Sequence, residues 1–328
     1  MTKIAAKFRR SLSKAVCTPL NRLLNLVDAP VVVLLYHRVT TLACDPELLA
    51  VSPDNFLAQM RHLKETVSLV GFEEDWTKVP RPAVAITFDD GYADNVLEAL
   101  PILDEVGVPA TFFVSTGTIG TSLEFWWHEL ERTILEKRSL PTEFTLEDGC
   151  FSRSWPTGTS LQRQEFYREM LRLMSDADPQ RRSNWRFQLR RWAQTGEGEG
   201  GRHRAMTVDE LRLLAGKSGI TIGAHTVTHS RLSTLSREAQ RDEMLASKAQ
   251  IESWLGRGID TFSYPFGRRC DYTKQSMALC RQAGFTKAAA NFPGQAHLWT
   301  DPYQIPRHLV RNWPVETFAQ KLREFWTR

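Results

Sequence analysis

Two short motifs, far apart in the chain, carry residues that could do chemistry: Thr87-Phe88-Asp89-Asp90-Gly91-Tyr92, and Gly223-Ala224-His225-Thr226-Val227-Thr228-His229. Together they offer two carboxylates and two imidazoles, the donor set of a divalent metal site with one carboxylate left for proton transfer. Each has a plainer reading when taken alone. Asp-Asp-Gly is commonly a turn, because Asp bonds its own backbone and Gly supplies positive φ, and two histidines one helical turn apart are commonly a surface or core pair. Context joins them. Asp89 follows the apolar run Ala83-Val84-Ala85-Ile86, and His225 follows Ile220-Thr221-Ile222. Both sets therefore stand where a buried parallel strand ends, which is where α/β sheets and barrels collect their chemistry.

The elements that must position these residues alternate along the chain. Val31 to Tyr36 reads as a buried first strand ending at His37, residues 53–66 as a helix, residues 93–106 as a helix stopped by Gly107, and Ala110 to Ser115 as a further strand. From Thr207 the pattern resumes with a helix, a strand over 220–225, a long helix from Ser236 to Leu255 and a strand from Thr261 to Tyr264. A helix over 271–283, strands near 286–290 and 305–310, and a terminal helix from Pro314 complete it. Strand and helix in alternation imply parallel strands with crossover helices. The expected fold is α/β, a barrel of about seven parallel strands. Residues 119–204 break the alternation and read as a mostly helical, arginine-rich insertion. Its end, Gly196 to Gly201, reads as a hinge and not a phosphate cradle, since it follows no strand and carries acidic residues.

Composition narrows the class. With 328 residues, 42% hydrophobic, 24% charged and a net charge of +4, the chain is an ordinary globular protein whose basic residues are interleaved with acidic ones, so nucleic acid is not an expected partner. Five cysteines without a C-x-x-C pair read as reduced thiols. No apolar h-region marks an export signal, and no run approaches the roughly 18 apolar residues of a membrane span. A cytoplasmic location is expected. Residues 1–28 read as a basic amphipathic helix, with Ile4, Phe8, Leu12 and Val16 on one face among lysines and arginines. Such a helix either docks on its own domain, residues 29–328, or gives peripheral contact with the inner membrane face through residues 1–27.

On these residues the chain resembles the polysaccharide deacetylase family of metal-dependent carbohydrate esterases. The first motif matches Thr87 to Tyr92, the second His225 to His229, and a weaker third stands at Phe262-Ser263-Tyr264-Pro265-Phe266-Gly267. Flanking phrases agree: Tyr36-His37-Arg38-Val39, Pro109 to Val114, and Ala283-Gly284-Phe285. The resemblance implies a distorted (β/α) barrel, with Asp90, His225 and His229 binding a divalent metal, zinc first and cobalt, nickel or manganese as alternatives. It implies Asp89 as general base, and a backbone N–H near Tyr264 or Phe266 helping the metal to stabilise the oxyanion.

The chain departs from the family at Ser263, where an arginine ordinarily orients the base; Arg307 is a candidate substitute. His308 and His37 are both candidates for the acid that protonates the departing amine, and either could instead be a structural histidine. Tyr264, Phe266, Arg307 and Trp127 are the candidate substrate contacts, Trp127 because sugars stack on aromatic rings. The expected activity is metal-dependent removal of N-acetyl groups from a polysaccharide, oligosaccharide or lipid-linked glycan, such as an exopolysaccharide or its precursor. Hydrolysis of a formyl or ring amide on the same scaffold is an alternative. So is a glycan-binding protein that lost catalysis through Ser263.

Overall fold

Strands β1 (Val31–Tyr36) and β5 (Ala83–Phe88) are continuous apolar runs, and every residue in both is buried. A parallel strand reads this way because apolar layers cover both of its faces. The structure, a computed structural model, describes residues 24–149, 151–197 and 201–327. Most of the basic segment expected over residues 1–28 lies outside these described residues, so its docked or membrane-bound state does too.

Short strands β2 (Arg38–Val39) and β3 (Ala50–Val51) pair with each other beside the main sheet. In the main sheet β4 (Ser68–Val70) pairs with the first half of β5, and β6 (Ala110–Val114) with its second half. Beyond β6 come β9 (Ile220–Ala224), β10 (Thr261–Ser263) and β11 (Lys287–Ala289), while β12 (His308–Leu309) flanks β1 on the other side; all pairs are parallel. This path of seven strands curls on itself. Ile305 exchanges backbone hydrogen bonds with Ala288 and Ala290, and three residues later His308 lies beside Leu34 of β1. One segment thus bridges both edges of the sheet, as the expected distorted barrel requires.

Alternate residues face two cores. Val31, Val33, Ala83, Ala85, Phe113, Ala289 and Ile305 fill the interior of the curl, plugged at one end by Phe72 and Trp76. Val32, Leu34, Val84, Ile86 and Phe112 face outward against the helices. Those helices start and stop as local chemistry dictates. Helix α1 (Pro53–Thr66) is capped by Ser52, and α2 (Leu100–Val106) ends on the left-handed Gly107.

Residues between β6 and β9 include α3 (Trp126–Glu131), α4 (Ser160–Asp176), α5 (Pro179–Ala193) and α6 (Val208–Ala215). They also hold an antiparallel hairpin, β7 (Glu143–Asp148) with β8 (Phe151–Pro156), which the helical reading of this stretch missed. Phe144 and Leu146 alternate with exposed neighbours, and Asp148-Gly149 makes the turn, so a hairpin signal was present. After β9 come α7 (Arg237–Leu255), α8 (Lys274–Gln282) and the terminal α9 (Val315–Phe325). No helix among the described residues is long and apolar enough to cross a membrane.

Candidate active site

The carboxyl ends of the parallel strands bring the two motifs together. Asp89 and Asp90 follow β5, His225 follows β9, Ser263 ends β10, His37 follows β1, and Arg307 immediately precedes β12. The turns that present them are strained. Of the six non-glycine residues with positive φ among the described residues, Asp90 (79°), Thr226 (65°), His229 (50°) and Phe266 (61°) all belong to this corner. Such conformations cost free energy and persist where surrounding bonds over-determine them. Here the bonds are visible. His229 N–H donates to Thr226 Oγ1 at 3.1 Å, and Thr116 N–H to the Thr226 carbonyl at 3.1 Å.

Asp90, His225 and His229 converge. Their ligand atoms all lie within 4.8 Å of one another, with Asp90 Oδ1 at 3.5 Å from His225 Nε2 and 3.3 Å from His229 Nε2. The trio does not satisfy itself, for Asp90 Oδ1 and His229 Nδ1 are buried without a well-formed hydrogen bond. His225 Nδ1 sits 2.8 Å from the Ser263 carbonyl, which turns Nε2 toward Asp90; burial would lower the pKa of this ring, but Asp89 and Asp90 raise it, so a cation arriving at Nε2 displaces a proton. Burial pushes His229 down to about 3, so its ring is neutral. Burial would raise the Asp90 carboxyl, but it is held low, chiefly by its interaction with His225. A neutral histidine, a second with an oriented Nε2 and an ionised carboxylate fit a divalent cation with open positions.

Asp89 is held apart from this trio by an arginine. Arg307, 1% exposed, donates Nη1 to Asp89 Oδ1 at 2.8 Å and Nη2 to Oδ2 at 2.6 Å. The same guanidinium bonds Ser263 Oγ at 2.8 Å and the Ala290 carbonyl at 2.8 Å, and Ser263 Oγ lies 3.2 Å from Asp89 Oδ2. Burial alone would raise the Asp89 carboxyl; Arg307 and His225 outweigh it and hold it below the usual carboxylate range. Arg307 therefore stands where the third motif lacks its arginine, with Ser263 completing the network. It is spent on Asp89 and is not the substrate contact it was also expected to be.

Two further expectations are corrected by strand alternation. Arg307 points inward and Leu309 lines the cleft, so His308 between them points outward, stacked on Phe325 of α9 at 4.0 Å; it does not border the cleft and cannot act as the acid there. Ser263 likewise points inward, so the ring of Tyr264 turns away and stacks on Tyr272 at 4.2 Å, while its N–H is used by the Ala289 carbonyl. Tyr264 supplies neither a substrate contact nor an oxyanion donor. Phe266 does line the cleft, edge-on to His229 at 5.0 Å, and its N–H has no acceptor among the described residues. Trp127 borders the cleft but packs on His229 at 4.6 Å and donates Nε1 to Tyr92 at 2.8 Å, a wall behind the ligand. His37 lines the cleft with a buried, unbonded Nδ1, and burial lowers its pKa against the pull of Asp90 and Asp89.

One supporting residue gave no signal in the sequence. Glu243 on α7 accepts from Val227 N–H at 2.8 Å, Thr228 N–H at 2.9 Å and Thr228 Oγ1 at 2.6 Å, stapling the loop that carries His229. Glu243→Gln is expected to weaken metal affinity about 10–100-fold, the usual effect of losing an outer support. Competition with a chelator measures it; unchanged affinity would remove Glu243 from the site.

These residues surround a cleft of about 420 Å³ containing His37, Asp89, Asp90, His225 and His229 on its floor. A family model described as polysaccharide deacetylase matches residues 77–174 and 186–288. YxkH of Bacillus subtilis, named for polysaccharide deacetylases, is 22% identical over 230 residues, covering 70% of this chain and 52% of its own length. The chain thus spans about half the length of this curated relative. The Streptococcus pyogenes deacetylase PplD superimposes with a TM-score of 0.56 at 18% identity, over 89% of this chain and 98% of its own. IcaB from Ammonifex degensii gives 0.58 at 16%, over 92% and 98%, and a de-N-acetylase from Aggregatibacter actinomycetemcomitans 0.53 at 15%, over 90% and 99%. At these identities the likeness is one of fold.

Proposed function

Since the chain belongs to the polysaccharide deacetylase family, we propose that it hydrolyses the N-acetyl group of an acetamido sugar in a glycan, using a divalent metal, zinc by preference, held by Asp90, His225 and His229. The observation that carries this reading is the separation of two adjacent carboxylates into two environments: Asp90 turned to two imidazoles, Asp89 clamped by Arg307. When bound, the cation supplies a Lewis acid and acidifies water at its open positions. Asp89, kept ionised and aimed by Arg307, takes the proton of the attacking water. In this reading the N–H of Phe266, which has no acceptor among the described residues, receives the oxyanion as the acetamide carbon becomes tetrahedral. His37 is neutral at rest, because burial lowers its pKa. It relays the proton gained by Asp89 to the departing amine.

The test is acetate release. Zinc- or cobalt-loaded protein is expected to liberate acetate and free amine in equal amounts from an N-acetylglucosamine oligomer, to stop on chelation and to resume on metal return. A panel of N-acetylated glycans left intact by the loaded protein would count against the proposal. His37→Gln is expected to lower kcat on the order of 10²-fold, within the range for one acid–base group, with metal retained; an unchanged kcat would exclude the relay. A cytoplasmic location belongs to the same proposal, with residues 1–27 either docked on their own domain or in contact with the inner membrane face. Vesicle flotation of the full chain that equals a chain begun at Asp28 would overturn the membrane part.

A further inference from the structure

The floor of the cleft is acidic and imidazole, whereas its rim is arginine. Helix α4 turns Arg168, Leu171, Arg172 and Ser175, residues on one helical face, into the cleft, and Arg231, Arg268 and Arg311 also border it. Against these, the cleft presents Glu47 besides the two aspartates, and Asp89 is already neutralised by Arg307.

The rim arginines differ in how far their charge is met. Arg231 and Arg268 both close on the buried carboxylate of Asp271, at 3.1 and 2.9 Å. Arg311 donates to the main-chain carbonyls of Glu47 and Leu48. Arg168 is exposed and forms no hydrogen bond or ion pair with a described residue, and Arg172 comes only within 3.9 Å of Asp176. Two guanidinium groups one turn apart on a helix repel each other in the free protein. A ligand oxyanion set between them removes that repulsion and can be held bidentately. A second hollow of about 510 Å³ adjoins the cleft and shares Glu47 and Arg168, so the cationic rim separates the catalytic floor from room for more of the substrate.

We propose that the N-acetylated substrate carries an oxyanion, a phosphate ester or a carboxylate, next to the sugar whose acetamide is cleaved, held by Arg168 and Arg172 with Arg311 as a third cation. This rests on the deacetylase reading above. It separates the substrate from neutral chitin-like oligomers.

Calorimetric titration of the zinc-loaded full chain tests it with three probes: a neutral N-acetylglucosamine tetramer, the same tetramer bearing a phosphate ester, and a tetramer with one glucuronic acid. At low salt, one or both anionic probes are expected to bind roughly tenfold tighter than the neutral one, equivalent to about 1.4 kcal/mol. In about 1 M salt, where screening acts within ~3 Å, the advantage is expected to shrink. The double variant Arg168→Glu/Arg172→Glu is expected to lose it. An advantage for the phosphate ester alone identifies a phosphorylated glycan, and one for the uronic acid an acidic polymer. Equal binding of all three probes overturns the inference; so does an advantage that survives in the double variant, which would put the anion on the metal. Binding is read independently of turnover. A charge preference without acetate release therefore contradicts the proposed function and not this inference.

Discussion

Asp89→Asn is expected to lower kcat for acetate release about 10²–10⁴-fold, the span set by loss of a general base, while metal stays bound. The amide keeps the shape of the side chain but cannot accept a proton at neutral pH. Since Asp89 matters only as the proton moves, kcat and kcat/KM fall together. The substitution also leaves Arg307 buried without its anion, and unpairing a buried ion pair costs about 3–5 kcal/mol. Turnover is therefore measured at a temperature where a melting curve shows the variant folded. A variant that is folded, metal-loaded and still active would exclude Asp89 as the base.

Arg307→Ala attacks the same pair from the other side. It is expected to cost about 3–5 kcal/mol of stability at neutral pH, because it abandons a buried carboxylate, and to move the acidic limb of the pH–rate profile upward. The sign follows from the opposing causes at Asp89. Burial raises its pKa, and Arg307 with His225 brings it below the ordinary value. Without Arg307 burial gains, the base holds its proton to higher pH, and activity begins later. In the wild type the depressed pKa contributes stability that is present above the unfolded carboxylate pKa and lost as pH falls, so the stability gap between the two proteins should narrow in acid. Urea unfolding at neutral and acidic pH, with the pH–rate profile, measures both. Arg307→Lys, which keeps the charge but not the fork, should recover only part of the loss. An unmoved acidic limb in the alanine variant would mean that Arg307 does not tune the base.

The centre of the site was legible because its residues sit next to strand ends that the sequence makes obvious. Asp89, Asp90 and His225 each follow an apolar run, and His229 rides on the next turn. Arg307 was harder, since it reaches Asp89 only because the segment from Ile305 to Leu309 closes the sheet between β11 and β1, a register that spacing along the chain does not encode. Once Arg307 is placed inward, though, period-two alternation sends His308 outward, so base-orienting Arg307 and acid His308 were mutually exclusive from the start. The same rule couples Ser263 to Tyr264. Glu243 lay beyond sequence reasoning for another reason: an acidic residue on a long helix is ordinarily solvated, and only the packing of α7 on the loop after β9 brings it to the backbone of Val227 and Thr228. Trp127 had the expected place but not the expected exposure, because Phe125 and His229 already cover its faces.

Underlying all of these is one claim, that two neighbouring aspartates divide the work, Asp90 holding metal and Asp89 moving a proton. Metal content after dialysis against one equivalent of zinc, for Asp89→Asn and Asp90→Asn side by side, tests it most directly. The expected result is a zinc ion retained by Asp89→Asn and lost from Asp90→Asn; zinc lost from the first or fully retained by the second would contradict the account.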